Sequence, residues 1–122
     1  MFRRNIAQPV TRQFILRTAV LNFLSKSLKQ QWNDLRQLIA LLVQSEEYQK
    51  DEAQLVEALE LKVAASHRLL KREYDELFIY MMDKRDLWDS PEYFKAKAAL
   101  GAAIHNLRTC APTKTMDDGQ PR

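Results

Sequence analysis

A leucine repeat between residues 10 and 50 is the feature that most constrains how this chain folds. Its members recur with heptad spacing, at Leu21, Leu24, Leu28, Leu35, Leu38 and Leu42. This a/d pattern places the leucines on one side of a helix that packs against another helix. The repeat predicts a long first helix, from about residue 10 to residue 49, and an interaction surface along it.

Other apolar residues broaden this side of the first helix. They are Phe14, Ile15, Val20, Phe23, Trp32, Ile39 and Val43. A broad apolar stripe suits a helix with two neighbours better than one strand of a thin coiled coil. Asn22 and Ser25 are weak helix formers, so we expect a bend or a break near residues 22–27.

A polar patch, residues 45–52, interrupts the apolar pattern, and a second apolar stripe follows it. Steps of three and four residues connect its members, Val56, Leu59, Val63, His67, Leu70, Tyr74, Leu77 and Met81. The stripe predicts a second helix over about residues 51–88. Two long stripes joined by a short polar link favour an antiparallel hairpin. One continuous helix through residue 50 is the alternative.

Ser90, Pro91 and Glu92 form the clearest helix start in the chain. Serine is a preferred N-cap, proline fits the first helical position, and an acid is favoured in the first turn. We predict a third helix over about residues 90–109 that turns inward Tyr93, Ala96, Leu100, Ala103, Ile104 and Leu107. Gly101 lowers the propensity of this helix, so we expect it to serve a close helix contact.

The composition supports an all-α fold in one domain. The chain has 122 residues, only two glycines and four prolines, so turn signals are few. We predict a long antiparallel helical hairpin with a shorter third helix packed on it, a coiled-coil-like three-helix bundle. The bundle occupies residues 10–110, between a flexible basic arm (residues 1–9) and a disordered tail (residues 111–122). No apolar run approaches the roughly 20 residues that span a bilayer.

Charge is distributed unevenly along the chain. Residues 1–33 hold six basic residues and no acid, whereas residues 34–60 hold seven acids and two basic residues. A nucleic-acid or anionic-membrane contact, an organelle address and a basic face for an acidic partner all fit this asymmetry. The acid-free, arginine-containing start resembles a mitochondrial presequence. We therefore expect an intracellular protein, in the mitochondrial interior or the bacterial cytoplasm; the lone Cys110 is consistent with a reducing compartment.

No arrangement of residues at catalytic or metal-binding spacing is present in the sequence. His67 and His105 belong to no histidine or cysteine motif, and His105 and Cys110 are five residues apart, on different sides of a helix. His67 fits a packed histidine with a local hydrogen bond. There is no glycine-rich phosphate loop. We predict a protein that is not an enzyme and has no cofactor or metal.

The apolar surface in excess of one core favours a helical protein–protein interaction module. Its pattern resembles small helical-hairpin export chaperones and short accessory subunits of organelle complexes. The partner is another protein or a second copy bound through the leucine stripe, with contacts from Phe14, Arg17, Leu21, Phe78, Met81, Met82 and Trp88. The alternative is nucleic-acid binding through Arg3, Arg4, Arg12, Arg68, Lys71 and Arg72.

Overall fold

Three helices make up the fold. A computed structural model describes residues 9–44 and 50–112; it contains α1 (Pro9–Gln44), α2 (Lys50–Asp83) and α3 (Pro91–Thr109), with a 3-10 turn (Arg85–Leu87) before α3. No strand occurs within these residues. The predicted all-α three-helix bundle is confirmed. The predicted arm, the link between the first two helices and nearly all of the predicted tail lie outside the described residues.

Contacts between side chains define the topology. Phe14 on α1 meets Tyr80 on α2, and Gln31 on α1 meets Ser66 on α2, so these helices run antiparallel. Phe14 also meets Tyr93 on α3, and further along α1 Ser25 meets Asn106. α3 therefore runs parallel to α1. The hairpin is confirmed for the described residues.

The core is built from the predicted helical stripes. Its buried apolar side chains are Phe14, Leu21, Leu28, Leu35, Val63, Leu70, Leu77, Met81, Ala96, Ala99, Leu100, Ala103, Leu107 and Cys110. Small alanines on α3 let its backbone approach the other two helices, whereas α1 and α2 contribute the large side chains. The periodicity of each helix thus identified its buried face.

Two expectations about α1 are wrong. The helix continues through residues 22–27 without a break, and Ser25 is buried there and bonded to α3. Four residues expected to broaden the buried side are exposed: Ile15, Val20, Phe23 and Val43. They lie beyond the arc of α1 that two neighbouring helices cover.

The later helix boundaries also differ in part from expectation. α2 ends at Asp83, earlier than predicted, because the chain turns there and brings Leu87 against the core. Ser90 is the N-cap of α3 as predicted: its Oγ accepts a hydrogen bond from the backbone N–H of Tyr93 at 3.2 Å, and Pro91 follows it. Gly101 serves no close contact, since a Cβ at this position would have no atom within 4 Å.

Candidate interaction surfaces

Two polar contacts hold α3 against the hairpin, one to α1 and one to α2. The Nδ2 of Asn106 donates to the Oγ of Ser25 at 2.7 Å and to its carbonyl oxygen at 3.1 Å. The Nε2 of His67 lies 2.9 Å from the carbonyl oxygen of Leu107. Because that carbonyl only accepts, Nε2 carries the proton, and His67 is the packed histidine that its position in the stripe predicts.

Aromatic rings close the end of the bundle where α3 begins. The ring of Phe14 packs edge-on against Tyr80, with centroids 5.1 Å apart, and against Tyr93 at 5.8 Å. The guanidinium of Arg17 lies 5.2 Å from the centre of the Tyr80 ring and 3.5 Å from a carboxylate oxygen of Glu76. This end therefore joins all three helices through apolar and cation–π contacts.

The structure separates the residues predicted to bind a partner into two groups. Phe14, Leu21 and Met81 are buried in the core, so a partner would reach them only if the bundle opened. Phe78, Met82 and Trp88 are exposed near the turn between α2 and α3. The predicted partner-binding residues are thus partly core and partly surface, and Arg17 makes contacts within the chain.

A groove of about 590 Å³ lies between α1 and α3. Its walls include Ile15 and Ala19 from α1 and Lys95 from α3. The Oγ1 of Thr18 is buried beside it and has no hydrogen-bond partner within the part of the chain that the structure describes. A buried hydroxyl without a partner costs stability, and the groove walls are otherwise mostly apolar.

Beyond α3 the hairpin continues as two helices only, and we call residues 32–44 and 50–62 the two-helix arm. A second groove, the arm groove, opens there between Ile39, Leu42, Val43 and Val56 and has a volume of about 350 Å³. The Val43 side chain is 77% exposed, and the other three are half-buried. These residues were assigned to the core from the sequence. The mismatch between a third helix of about 20 residues and two of nearly 40 was the signal that part of the hairpin stays uncovered.

The structure describes four of the six residues predicted to contact nucleic acid, one on α1 and three on α2. Arg3 and Arg4 lie outside the described residues, and Arg12 is exposed at the start of α1. On α2, Lys71 pairs with Asp75 at 2.8 Å and Arg72 lies 3.9 Å from Glu73. Arg68 is exposed. Acids therefore accompany two of these four described cations.

The described histidine, cysteine and acidic side chains, which serve catalysis or metal binding in other proteins, are not grouped into such a site in this structure. His105 is exposed, whereas Cys110 is a buried free thiol. Across residues 9–44 and 50–112, no three His, Cys, Asp or Glu side chains are grouped so as to hold a metal ion. None of the helices in these ranges has the length and hydrophobicity to cross a membrane.

The chain was compared with protein-family models, curated proteins and solved structures, and no match was found. What the protein does therefore has to be inferred from its own surfaces.

Proposed function

We propose that this protein is a non-enzymatic helical interaction module, acting as an accessory or assembly subunit or as an export-type chaperone. The observation that carries the proposal is the unequal length of the helices. α3 makes its last polar contact to α1 at Ser25, and α1 continues 19 residues further to Gln44. α3 itself ends three residues after Asn106, at Thr109. Residues 32–44 of α1, in the two-helix arm, therefore extend about 18 Å at 1.5 Å per residue without a third helix beside them.

The arm groove supplies the partner site in this proposal. α3 already shows how a helix binds the α1/α2 hairpin, since it lies between the two helices and buries alanine and leucine side chains. Past the end of α3, the apolar surface of the hairpin continues with Ile39, Val43 and Val56. An amphipathic helix of another protein would bury this surface as α3 buries its own part.

Charge favours a basic partner helix. The two-helix arm carries Asp34, Asp51, Glu52, Glu57 and Glu60 against Arg36, Lys50 and Lys62. Lysine or arginine at the edges of a bound helix would meet this negative field, which speeds association and selects against acidic helices. The proposed occupant is therefore a helix that is apolar on one side and basic at its margins.

Site-specific photo-crosslinking in cells of the native source tests the proposal. A photoreactive amino acid at Val43 should link to a defined segment of one protein, while the same group at Lys97, exposed on α3, should not. A synthetic peptide of the linked segment should then bind the purified chain. Val43→Gln removes apolar contact without changing charge and should raise Kd about tenfold.

Two further variants sharpen the test. Glu57→Lys should slow association and reduce its dependence on salt, because it removes part of the attraction for a basic helix. Phe94→Gln is the matched control, since Phe94 is an exposed apolar side chain on α3, away from the arm groove. Equal crosslinking from Val43 and Lys97, or a peptide whose Kd is unchanged by Val43→Gln, would refute the assignment.

A further inference from the structure

α1 carries a second apolar stripe that α2 and α3 leave mostly exposed; of its members only Leu38 is half-buried. We call it the outer stripe; its members are Leu16, Val20, Phe23, Leu38 and Leu41. The exposed fractions of Leu16, Phe23 and Leu41 are 51%, 68% and 65%. Steps of three and four residues put Leu16, Val20 and Phe23 on one face, about 140° around the helix from the buried Leu21 at 100° per residue.

The outer stripe is apolar at both ends and polar in the middle. Ser27, Gln30 and Asp34 occupy its central turns, and the Nε2 of Gln30 donates to Asp34 at 3.0 Å. When two copies of α1 are laid antiparallel about their common centre, Leu16 faces Leu41 of the other copy, and Val20 faces Leu38. In the same register Phe23 faces Asp34 of the other copy, so the apolar match under a two-fold axis is between the ends of the stripe, where a symmetric dimer would make its apolar contacts.

The distribution of charge selects the same orientation. Residues 9–31 and 63–112, the bundle end, contain twelve basic and seven acidic residues. The two-helix arm contains three basic and five acidic residues. Antiparallel packing puts each positive bundle end beside the negative arm of the other copy, whereas parallel packing puts like charges together.

The available surface is small. From Leu16 to Leu41 the stripe extends about 38 Å along α1. Packed helices lie about 8–10 Å apart, so the face of α1 alone buries about 350 Å² per copy. This is less than the usual size of a specific interface, so we expect a weak dimer that forms at high protein concentration.

We propose that two copies of this chain associate antiparallel through the outer stripe of α1. The proposed dimer is separate from the arm groove, because it uses another side of the hairpin and needs no other protein. In the dimer, the outer stripe of each copy is covered along its whole length. Each acidic arm then lies beside a basic bundle end, so the apolar and the charged features are satisfied together.

Sedimentation equilibrium of the full chain between about 1 and 200 µM in 0.15 M salt should show a monomer–dimer equilibrium. Phe23→Glu should raise the dimer Kd at least about 30-fold, since it removes an apolar side chain and places an acid opposite Asp34 of the other copy. Phe94→Glu introduces the same charge on α3 and should leave the dimer intact. A chain that stays monomeric at 200 µM, or a dimer that Phe23→Glu leaves unchanged, would overturn the proposal.

Disulfide trapping tests the orientation. In a Cys110→Ser background, a mixture of Leu16→Cys protein and Leu41→Cys protein should give the mixed disulfide under mild oxidation. Neither protein alone should crosslink efficiently, because identical positions lie at opposite ends of the interface. Efficient crosslinking of Leu16→Cys to itself would show parallel packing and overturn the antiparallel dimer.

Discussion

The hydrogen bonds between Ser25 and Asn106 should decide how α3 is placed on the hairpin. α3 offers the other helices mainly alanine and leucine, and such a surface allows several registers of similar packing. Ser25 is 4% exposed and is the only buried polar residue among those described. A single side chain of α3, Asn106, donates to both its hydroxyl and its carbonyl oxygen.

The magnitude follows from what each variant leaves behind. Asn106→Ala leaves the Ser25 hydroxyl buried without its α3 partner, which should cost about 1–3 kcal/mol of unfolding free energy. Ser25→Ala removes the hydroxyl, while its carbonyl oxygen still accepts, so the cost should be about 0.5–1.5 kcal/mol. The double variant should be less destabilised than the sum of the two by about 1 kcal/mol, because both single variants remove the same contact.

Urea unfolding of the four proteins at 25 °C, followed by helical circular dichroism, measures this double-mutant cycle. Asn22→Ala is the control: Asn22 is an exposed polar residue one turn earlier on α1, and its replacement should change stability by no more than about 0.5 kcal/mol. The reasoning fails if Asn106→Ala is no more costly than Asn22→Ala. It also fails if the coupling is below about 0.3 kcal/mol, since the two side chains would then act independently.

Three other variants or assays test separate parts of the structure. Thr18→Val keeps the side-chain shape and removes a buried hydroxyl that has no described partner. The free energy of unfolding in urea should therefore rise by about 1 kcal/mol. A destabilised variant would show that the hydroxyl is hydrogen-bonded in solution. Gly101→Ala should raise the melting temperature by about 2–5 °C, because the site is helical and open, and a lower melting temperature would contradict the absence of a close contact there. Titration of labelled duplex and single-stranded DNA and RNA at 50 mM salt should be flat to about 10 µM, since Lys71 and Arg17 face acids; micromolar binding that weakens steeply with salt would instead support the nucleic-acid alternative.

The unequal lengths of the helices link the fold to the proposed function. A third helix as long as the first two would cover the arm groove, and the chain would then have one closed core. With 19 residues, α3 reaches only part of the hairpin. The uncovered side chains of the arm groove are therefore a property of the architecture and not of one exposed residue.

Helical periodicity alone determined the fold class and the centre of each buried face. Leu21, Leu28 and Leu35 are buried because residues seven apart return to nearly the same side of a helix, and Leu70 and Leu77 follow the same rule on α2. The start of α3 could also be predicted from the local sequence, because an N-cap serine and a following proline act through the backbone groups of their own turn.

Only the tertiary structure decided how far around and how far along each helix the burial extends. Val20 and Phe23 have the same apolar character as Leu24, yet they are exposed because no helix lies on their side of α1. From the sequence alone Ser25 is a weak helix former, but in the fold its hydroxyl accepts a hydrogen bond from Asn106, which lies far along the chain on α3. Sequence fixes the direction in which a side chain points along a helix, whereas burial depends on whether another part of the chain is long enough, and placed, to meet it.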